Sequence, residues 1–196
     1  MSSASDALRS ARDRLKVAYF GLSDMRDHPD RLEAGWMNAV VFGRMVTFSL
    51  QNMRSSVPEF DEWYEGVRER MRRDKVMSFF WDLRTKVEKQ AEEHTLAGVE
   101  INFNGAVDRK HLGNPPPGAK GFFMGDAQGR SGWDVELEDG TVTQYFVAMP
   151  PSVIKRIAVF FNAPEDFGFA KADDLIELYL SKLGQVLDEA EEKFGT

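Results

Sequence analysis

The sequence predicts an α+β protein with an N-terminal bundle of about four helices, an antiparallel β-meander and a C-terminal amphipathic helix. Before His94, apolar residues recur every three or four positions, which is typical of helices. From Val99 to Phe161 they tend to alternate with polar residues, and the last segment returns to helical spacing. We expect residues 1–95 to form the bundle and residues 96–196 to form the sheet with its closing helix, in one compact unit.

The first two predicted helices differ in how much of their surface is apolar. Ser3 or Ser5 is a candidate cap for the first helix, and Asp30 for the second. The second helix, 31–54, is apolar on nearly every side, so we expect other helices to surround it. Arg44 lies inside it and should be buried against a carboxylate or several carbonyls. The first helix has a single apolar stripe, formed by Leu8, Ala11, Leu15, Tyr19, Leu22 and Met25.

A basic run marks the end of the third predicted helix, 58–73. Glu69 is spaced to pair with Arg72 and Arg73 one turn away. One interpretation is a solvated face with local ion pairs, and the other is a patch for phosphate or for an acidic partner. Asp74 is a candidate cap for the fourth helix, which we expect to extend to Glu93. The basic residues of the run are Arg68, Arg70, Arg72, Arg73 and Lys75.

Period-two spacing predicts the strands of the second half. The Asp139-Gly140 pair favours a tight hairpin turn, because both central residues of that turn need positive φ. Asp173 is a candidate cap for the closing helix, whose wide apolar stripe should pack on the sheet or on the helical half. The predicted strands are 99–103, 120–124, 132–138, 141–149 and 154–161.

Composition excludes several classes of function. The net charge of −7 argues against a broad electrostatic grip on nucleic acid, and the surplus acid lies entirely after His94. The absence of cysteine excludes disulfides, thiolate catalysis and Cys-type zinc sites. The longest apolar stretch, Ala34 to Leu50, is short and contains Arg44, which indicates a core helix and not a membrane span. We therefore expect a cytoplasmic protein.

Catalytic and cofactor motifs are not evident in the sequence. The glycine-rich stretch 118–130 lacks the lysine-hydroxyl ending of a phosphate loop and precedes a strand, so it is typical of turns. No Gly-x-Ser-x-Gly elbow is present, and the three histidines lack metal-ligand spacing. We predict no cofactor and no metal site, and the sequence leans away from an enzyme.

One stretch resembles a known family. Residues Ser78 to Gln90, SFFWDLRTKVEKQ, resemble the functional helix of HEPN-fold proteins, in which an apolar helix carries Arg, usually Asn, and then His. The resemblance implies a helical bundle that often dimerises, and in active members metal-independent RNA cleavage by Arg and His at the dimer interface. Inactive members serve as antitoxins or interaction modules. In this chain Arg84 matches, whereas Thr85 replaces the Asn and Lys89 replaces the His.

Three functional hypotheses follow. The first is a non-catalytic interaction or regulatory module of HEPN type that contacts a protein partner or a second copy through its helical half. The second is a metal-independent ribonuclease or RNA-binding protein, with Arg84 and Lys89 as the candidate catalytic residues. The third is a small-ligand binder with a pocket between the sheet and the last helix. The candidate binding residues are Arg68, Arg72, Arg73 and Arg84.

Overall fold

The α+β class is confirmed by a computed structural model of the chain. The structure describes residues 3–89, 95–105, 108–126, 128–160, 163–167 and 170–195. The end of the predicted fourth helix, 90–93, lies outside them. The helices are α1 Ala4–Asp27, α2 Leu32–Gln51, α3 Phe60–Arg73, α4 Lys75–Lys89 and α5 Ala172–Phe194. The strands are β1 Thr95–Ile101, β2 Ala119–Phe123, β3 Ser131–Glu136, β4 Val142–Val147 and β5 Ile154–Phe160.

The chain divides into two compact units. The helical unit comprises residues 1–95 and 160–196 and contains helices α1 to α5, whereas the β unit comprises residues 96–159. None of the helices in the described part of the chain combines the length and hydropathy that a bilayer crossing requires.

Two of the predicted helix caps are confirmed. The Ser3 hydroxyl accepts a hydrogen bond from the Asp6 amide at 3.1 Å, and the Asp6 carboxylate accepts from Ser3 in return. In α4, the carboxylate Oδ1 of Asp74 accepts from the amides of Val76 and Met77, both at 3.0 Å. These bonds satisfy amides that have no partner within the helix.

The other two predicted caps are wrong. Residues Pro29–Arg31 form a 3₁₀ turn instead, and Arg31 precedes α2 without a side-chain cap. Asp173 lies inside the first turn of α5, where its carboxylate accepts from Nε of Arg26 at 3.1 Å. A carboxylate there still lies near the positive end of the helix, so it stabilises α5 through charge.

Small residues allow α1 and α2 to pack very closely. A Cβ atom placed on Gly21 would lie 2.6 Å from the carbonyl oxygen of Gly35, and one on Gly35 would lie 2.7 Å from that of Gly21. Ala18 and Ala39 are fully buried at the same junction. The helix pair can approach this closely only because no side chain stands between the two backbones.

Helix α5 completes the core of the helical unit. Ile176, Leu180 and Leu187 have no exposed surface, and α5 contacts α1, α2 and α4. Helix α2 is not fully surrounded, contrary to the sequence prediction. Its residues Met37, Met45 and Phe48 are 38%, 36% and 43% exposed, and their spacing places them on one stripe of the helix.

The β unit contains the predicted antiparallel meander, in the order β2-β3-β4. In its β3–β4 pair the register runs from Ser131 opposite Val147 to Glu136 opposite Val142. The hairpin at Asp139-Gly140 is confirmed, but its loop has three residues, because Leu137 N–H donates to the Thr141 carbonyl. Strands β1 and β5 form a separate two-stranded sheet.

Candidate functional site

A cavity of about 210 Å³ lies within the helical unit, among α2, α3, α4 and α5. It is bounded by helices alone, so it differs from the pocket that the sequence predicted between the sheet and the last helix. Three of its lining side chains are arginines and none is a carboxylate. The lining residues are Arg44, Thr47, Arg68, Met71, Arg72, Met77, Ser78, Trp81, Tyr179 and Leu183.

Arg44 forms part of the floor of the cavity and is only 8% exposed. Its Nη1 donates to the Thr47 hydroxyl at 2.7 Å. Its guanidinium carbon lies 3.5 Å from the ring centroid of Trp81 and 4.5 Å from that of Phe48. The sequence prediction of a buried arginine is confirmed, and part of the stabilisation comes from aromatic faces and a hydroxyl.

Tyr179 contributes a nearly buried aromatic side chain with a hydroxyl group to the cavity wall. The residue is 4% exposed, and its ring stacks on Phe80 with centroids 4.5 Å apart. Gly43 allows this position, because a Cβ there would lie 2.6 Å from Tyr179 Cε1. No described residue forms a hydrogen bond with the Tyr179 hydroxyl. A hydroxyl that has no hydrogen-bond partner within the described chain is available to an acceptor in the cavity.

The tyrosine hydroxyl is a hydrogen-bond donor at neutral pH. Burial raises the pKa of Tyr179 far above its usual value, although the charges of Arg44 and Arg84 act in the opposite direction. A protonated hydroxyl among cationic side chains favours an acceptor that carries negative charge.

Arg68 and Arg72 line the cavity from the last turns of α3. Arg68 pairs with Glu65 at 2.7 Å and Arg72 with Glu69 at 3.2 Å, both on the solvent-exposed side of the helix. Exposed pairs of this kind contribute only about 0–1 kcal/mol, so each guanidinium can exchange its glutamate for a bound anion at little cost.

The remaining predicted site residues lie elsewhere. Arg73 is 83% exposed, pairs with Glu69 at 3.5 Å and does not line the cavity. The Arg84 guanidinium lies 5.6 Å from the ring centroid of Phe48. Lys89 ends α4, and its side chain lies outside the described residues. The structure therefore brings Arg68 and Arg72 together with Arg44, and leaves Arg73 apart from them.

Part of the chain matches a known protein family. A family model described as Bacteriophage lambda protein ea47 matches residues 18–104, which is less than half of the chain. The description names a phage protein and no activity or ligand. No curated protein and no solved structure matches the chain.

The match corrects the HEPN resemblance. It includes the whole stretch Ser78 to Gln90 on which that resemblance depended, and the matching family is not a HEPN family. The HEPN interpretation is therefore wrong. An apolar helix with an arginine is a common pattern, and here Trp81 and Phe80 serve the packing of the helical unit. Of the cavity side chains, those on α2, α3 and α4 lie in the matched region, while Tyr179 and Leu183 lie outside it.

Sequence reasoning missed Tyr179, Trp81 and the two cavity methionines. Tyr179 falls on the apolar stripe of α5, where an aromatic residue reads as core. The available signal was its hydroxyl: tyrosine on a fully buried stripe needs a hydrogen-bond partner, and the neighbouring stripe residues supply none.

Proposed function

We propose that the helical unit binds a small organic anion with an apolar body in the cavity among α2, α3, α4 and α5. The observation that carries this proposal is Tyr179, a residue that is only 4% exposed, lines the cavity and has no hydrogen bond from its hydroxyl to a described residue. Because the surrounding arginine side chains are positively charged, the ligand group that accepts a hydrogen bond from this hydroxyl should be an anion.

The lining specifies the two parts of the ligand. Tyr179 and the guanidinium groups of Arg44 and Arg68 face the same space, so a carboxylate there gains charge-assisted hydrogen bonds. The apolar side chains of Met71 and Leu183 offer contact to a hydrocarbon body. The lining therefore matches a ligand that has a carboxylate at one end and a hydrocarbon group at the other.

The size of the cavity restricts the ligand further. A volume of about 210 Å³ is below the range of roughly 300–1,000 Å³ that is typical of drug-sized ligand sites. We therefore expect a single-ring or short-chain monocarboxylate and not a dinucleotide or a peptide. The Trp81 side chain, which is 48% exposed, stands at the boundary of the cavity, where a flat ring can stack on it.

The test compares two ligands of nearly equal shape and different charge. Binding of benzoate and of neutral benzyl alcohol is measured by isothermal titration calorimetry and by ¹H–¹⁵N chemical-shift changes. Benzoate should bind and benzyl alcohol should not bind detectably, with shift changes at the indole N–H of Trp81. Equal binding of the two compounds, or no binding of benzoate at millimolar concentration, contradicts the proposal.

Three variants locate the site. Tyr179→Phe keeps the ring and removes the hydroxyl, so affinity should fall roughly ten- to a hundredfold, as expected for a hydrogen bond to a charged group. Its thermal stability should not decrease, because the hydroxyl has no partner within the described chain. Arg68→Gln should weaken binding, whereas Arg73→Gln on the same helix should not. An equal effect of the two arginine variants would show that the cavity is not the site.

The interaction role that the sequence predicted stays a prediction. The surface on which the helical half could contact a protein partner or a second copy is the exposed stripe of α2, formed by Met37, Met45 and Phe48. RNA as a partner also stays a prediction, and of the candidate binding residues Arg73 is the most exposed.

A further inference from the structure

The strand β4 forms an open edge of the three-stranded sheet in the described part of the chain. It pairs with β3 on one side only. Its side chains are solvent-exposed on both faces of the sheet, with Val142, Tyr145 and Phe146 at 63%, 58% and 46% exposure. The strand sequence VTQYFV contains no charge and no proline.

The opposite edge of the same sheet shows the usual protection against pairing. Strand β2 has an irregular register between Ala119 and Gly121, which is a bulge, and it carries Lys120 between them. Bulges, lysines and prolines are the devices by which natural edge strands avoid pairing with other chains. β4 has none of them, so its open edge is suited to pairing.

The hydrogen-bond pattern fixes which groups point outward from β4. The Leu137 N–H donates to the Thr141 carbonyl at 2.8 Å, so residues 137 and 141 form a hydrogen-bonded pair. Such pairs alternate along an antiparallel ladder. Thr143 and Tyr145 therefore bond to β3, and residues 142, 144 and 146 direct their N–H and C=O groups to the open edge.

We propose that β4 pairs with β4 of a second copy of this chain, antiparallel and about a two-fold axis perpendicular to the sheet. The axis passes between the Gln144 residues of the two copies, so these residues lie opposite each other. Val142 of each copy then lies opposite Phe146 of the other. In this register every outward N–H and C=O of the three residues meets a complementary group. The Val142–Phe146 contact is a β-branched and aromatic cross-strand pair, a favourable type.

The self-complementary register favours a second copy as the occupant, and charge does not oppose it at this edge. The chain carries a net charge of −7, so most surfaces of two copies repel each other. The uncharged β4 edge brings no like charges opposite each other in the self-pairing register. In the two-fold register the same residues of both copies pair with each other, so the outward backbone groups of each copy are all hydrogen-bonded. An isologous interface requires this symmetry.

Single-cysteine variants test the register directly, because the natural chain contains no cysteine. In Gln144→Cys, the two Cα atoms would lie about 5.5 Å apart, within the range that a disulfide bridges. In the control Thr143→Cys, the two Cα atoms are diagonal and lie roughly 7–8 Å apart, beyond that range. Under mild oxidation Gln144→Cys should form a covalent dimer and Thr143→Cys should not.

A second variant tests the edge without oxidation. Gln144→Pro removes an outward N–H but no ladder bond to β3, so the fold should persist, as judged by far-ultraviolet circular dichroism. In sedimentation velocity the natural chain should show a concentration-dependent dimer, which Gln144→Pro abolishes. A monomer at all concentrations, a dimer that survives Gln144→Pro, or equal cross-linking of the two cysteine variants would overturn the proposal. A dimer that survives would direct attention to the α2 stripe.

Discussion

The close approach of α1 and α2 makes Gly21→Ala the sharpest test of the helical unit. A Cβ at this position would lie 2.6 Å from the Gly35 carbonyl oxygen and 2.7 Å from the Ala39 amide nitrogen. Both obstacles are backbone atoms, so no side-chain rotation relieves the overlap. To reach an ordinary contact of 3.4 Å, the helices would have to separate by about 0.8 Å.

Two opposing effects determine the magnitude of the change. Overpacking of a core typically costs about 1–3 kcal/mol, and an obstacle made of backbone places this site at the upper end. A gap of 0.5–1 Å between the separated helices also loses roughly a quarter to a half of the local dispersion energy. Against this, alanine gains about 1 kcal/mol over glycine within a helix. We expect a net loss of about 2 kcal/mol in the free energy of unfolding.

Gly66→Ala is the matched control. Gly66 lies within α3, and no atom lies within 4 Å of the position that a Cβ would take. This variant should gain about 1 kcal/mol from helix propensity alone. Urea unfolding, followed by circular dichroism at the helical minimum, measures both variants. The difference between them should be about 3 kcal/mol, and equal stability would refute the close packing of α1 on α2.

Two further predictions concern one residue in each unit. Desolvation raises the pKa of Asp74, but its bonds to Lys182 and to the α4 amides outweigh this and leave the pKa below the usual value. The stability it contributes is therefore present above its usual pKa and lost as the pH falls through the lowered one. Asp74→Ala should cost about 1 kcal/mol at neutral pH and flatten the acid limb of the unfolding profile, while Asp82→Ala, on the exposed face, should leave the stability at neutral pH unchanged. In the β unit, a Cβ on Gly132 would collide with a carbonyl oxygen of β4, whereas one on Gly121 would meet nothing within 4 Å. Gly132→Ala should therefore accelerate amide exchange in β4, and Gly121→Ala is the control. Equal exchange rates of β4 in the two variants would contradict the register.

Much of the fold followed from local patterns. Three-and-a-half-residue spacing predicted the helices, and alternation predicted strands such as β3 and β4. The caps at Ser3 and Asp74 were predicted because their side chains bond to amides two or three residues away. These features depend on neighbours in the sequence, so the sequence suffices to indicate them.

Features that depend on a distant partner were predicted less well. Asp173 looked like a cap, but it pairs with Arg26 of α1 and lies inside the first turn, two residues after the N-terminal cap position Lys171. The pattern of α2 predicted burial on all sides, whereas the packing leaves the Met37, Met45 and Phe48 stripe exposed. The HEPN resemblance failed for a related reason: it was based on one short helix, and the longer match over residues 18–104, which includes that helix, is to a family that is not HEPN.

The amino-acid sequence by itself determined the α+β class, the position of most elements and the burial of Arg44, because periodicity and capping act within a few residues of the chain. Only the tertiary structure decided that Arg44, Arg68 and Tyr179 line one cavity and that residues 142, 144 and 146 direct their backbone groups to an open edge. Arg68 and Tyr179 are far apart in the sequence, and their proximity arises from the packing of α5 against the other helices. That packing is a sum of many small contacts, which no local pattern in the sequence displays.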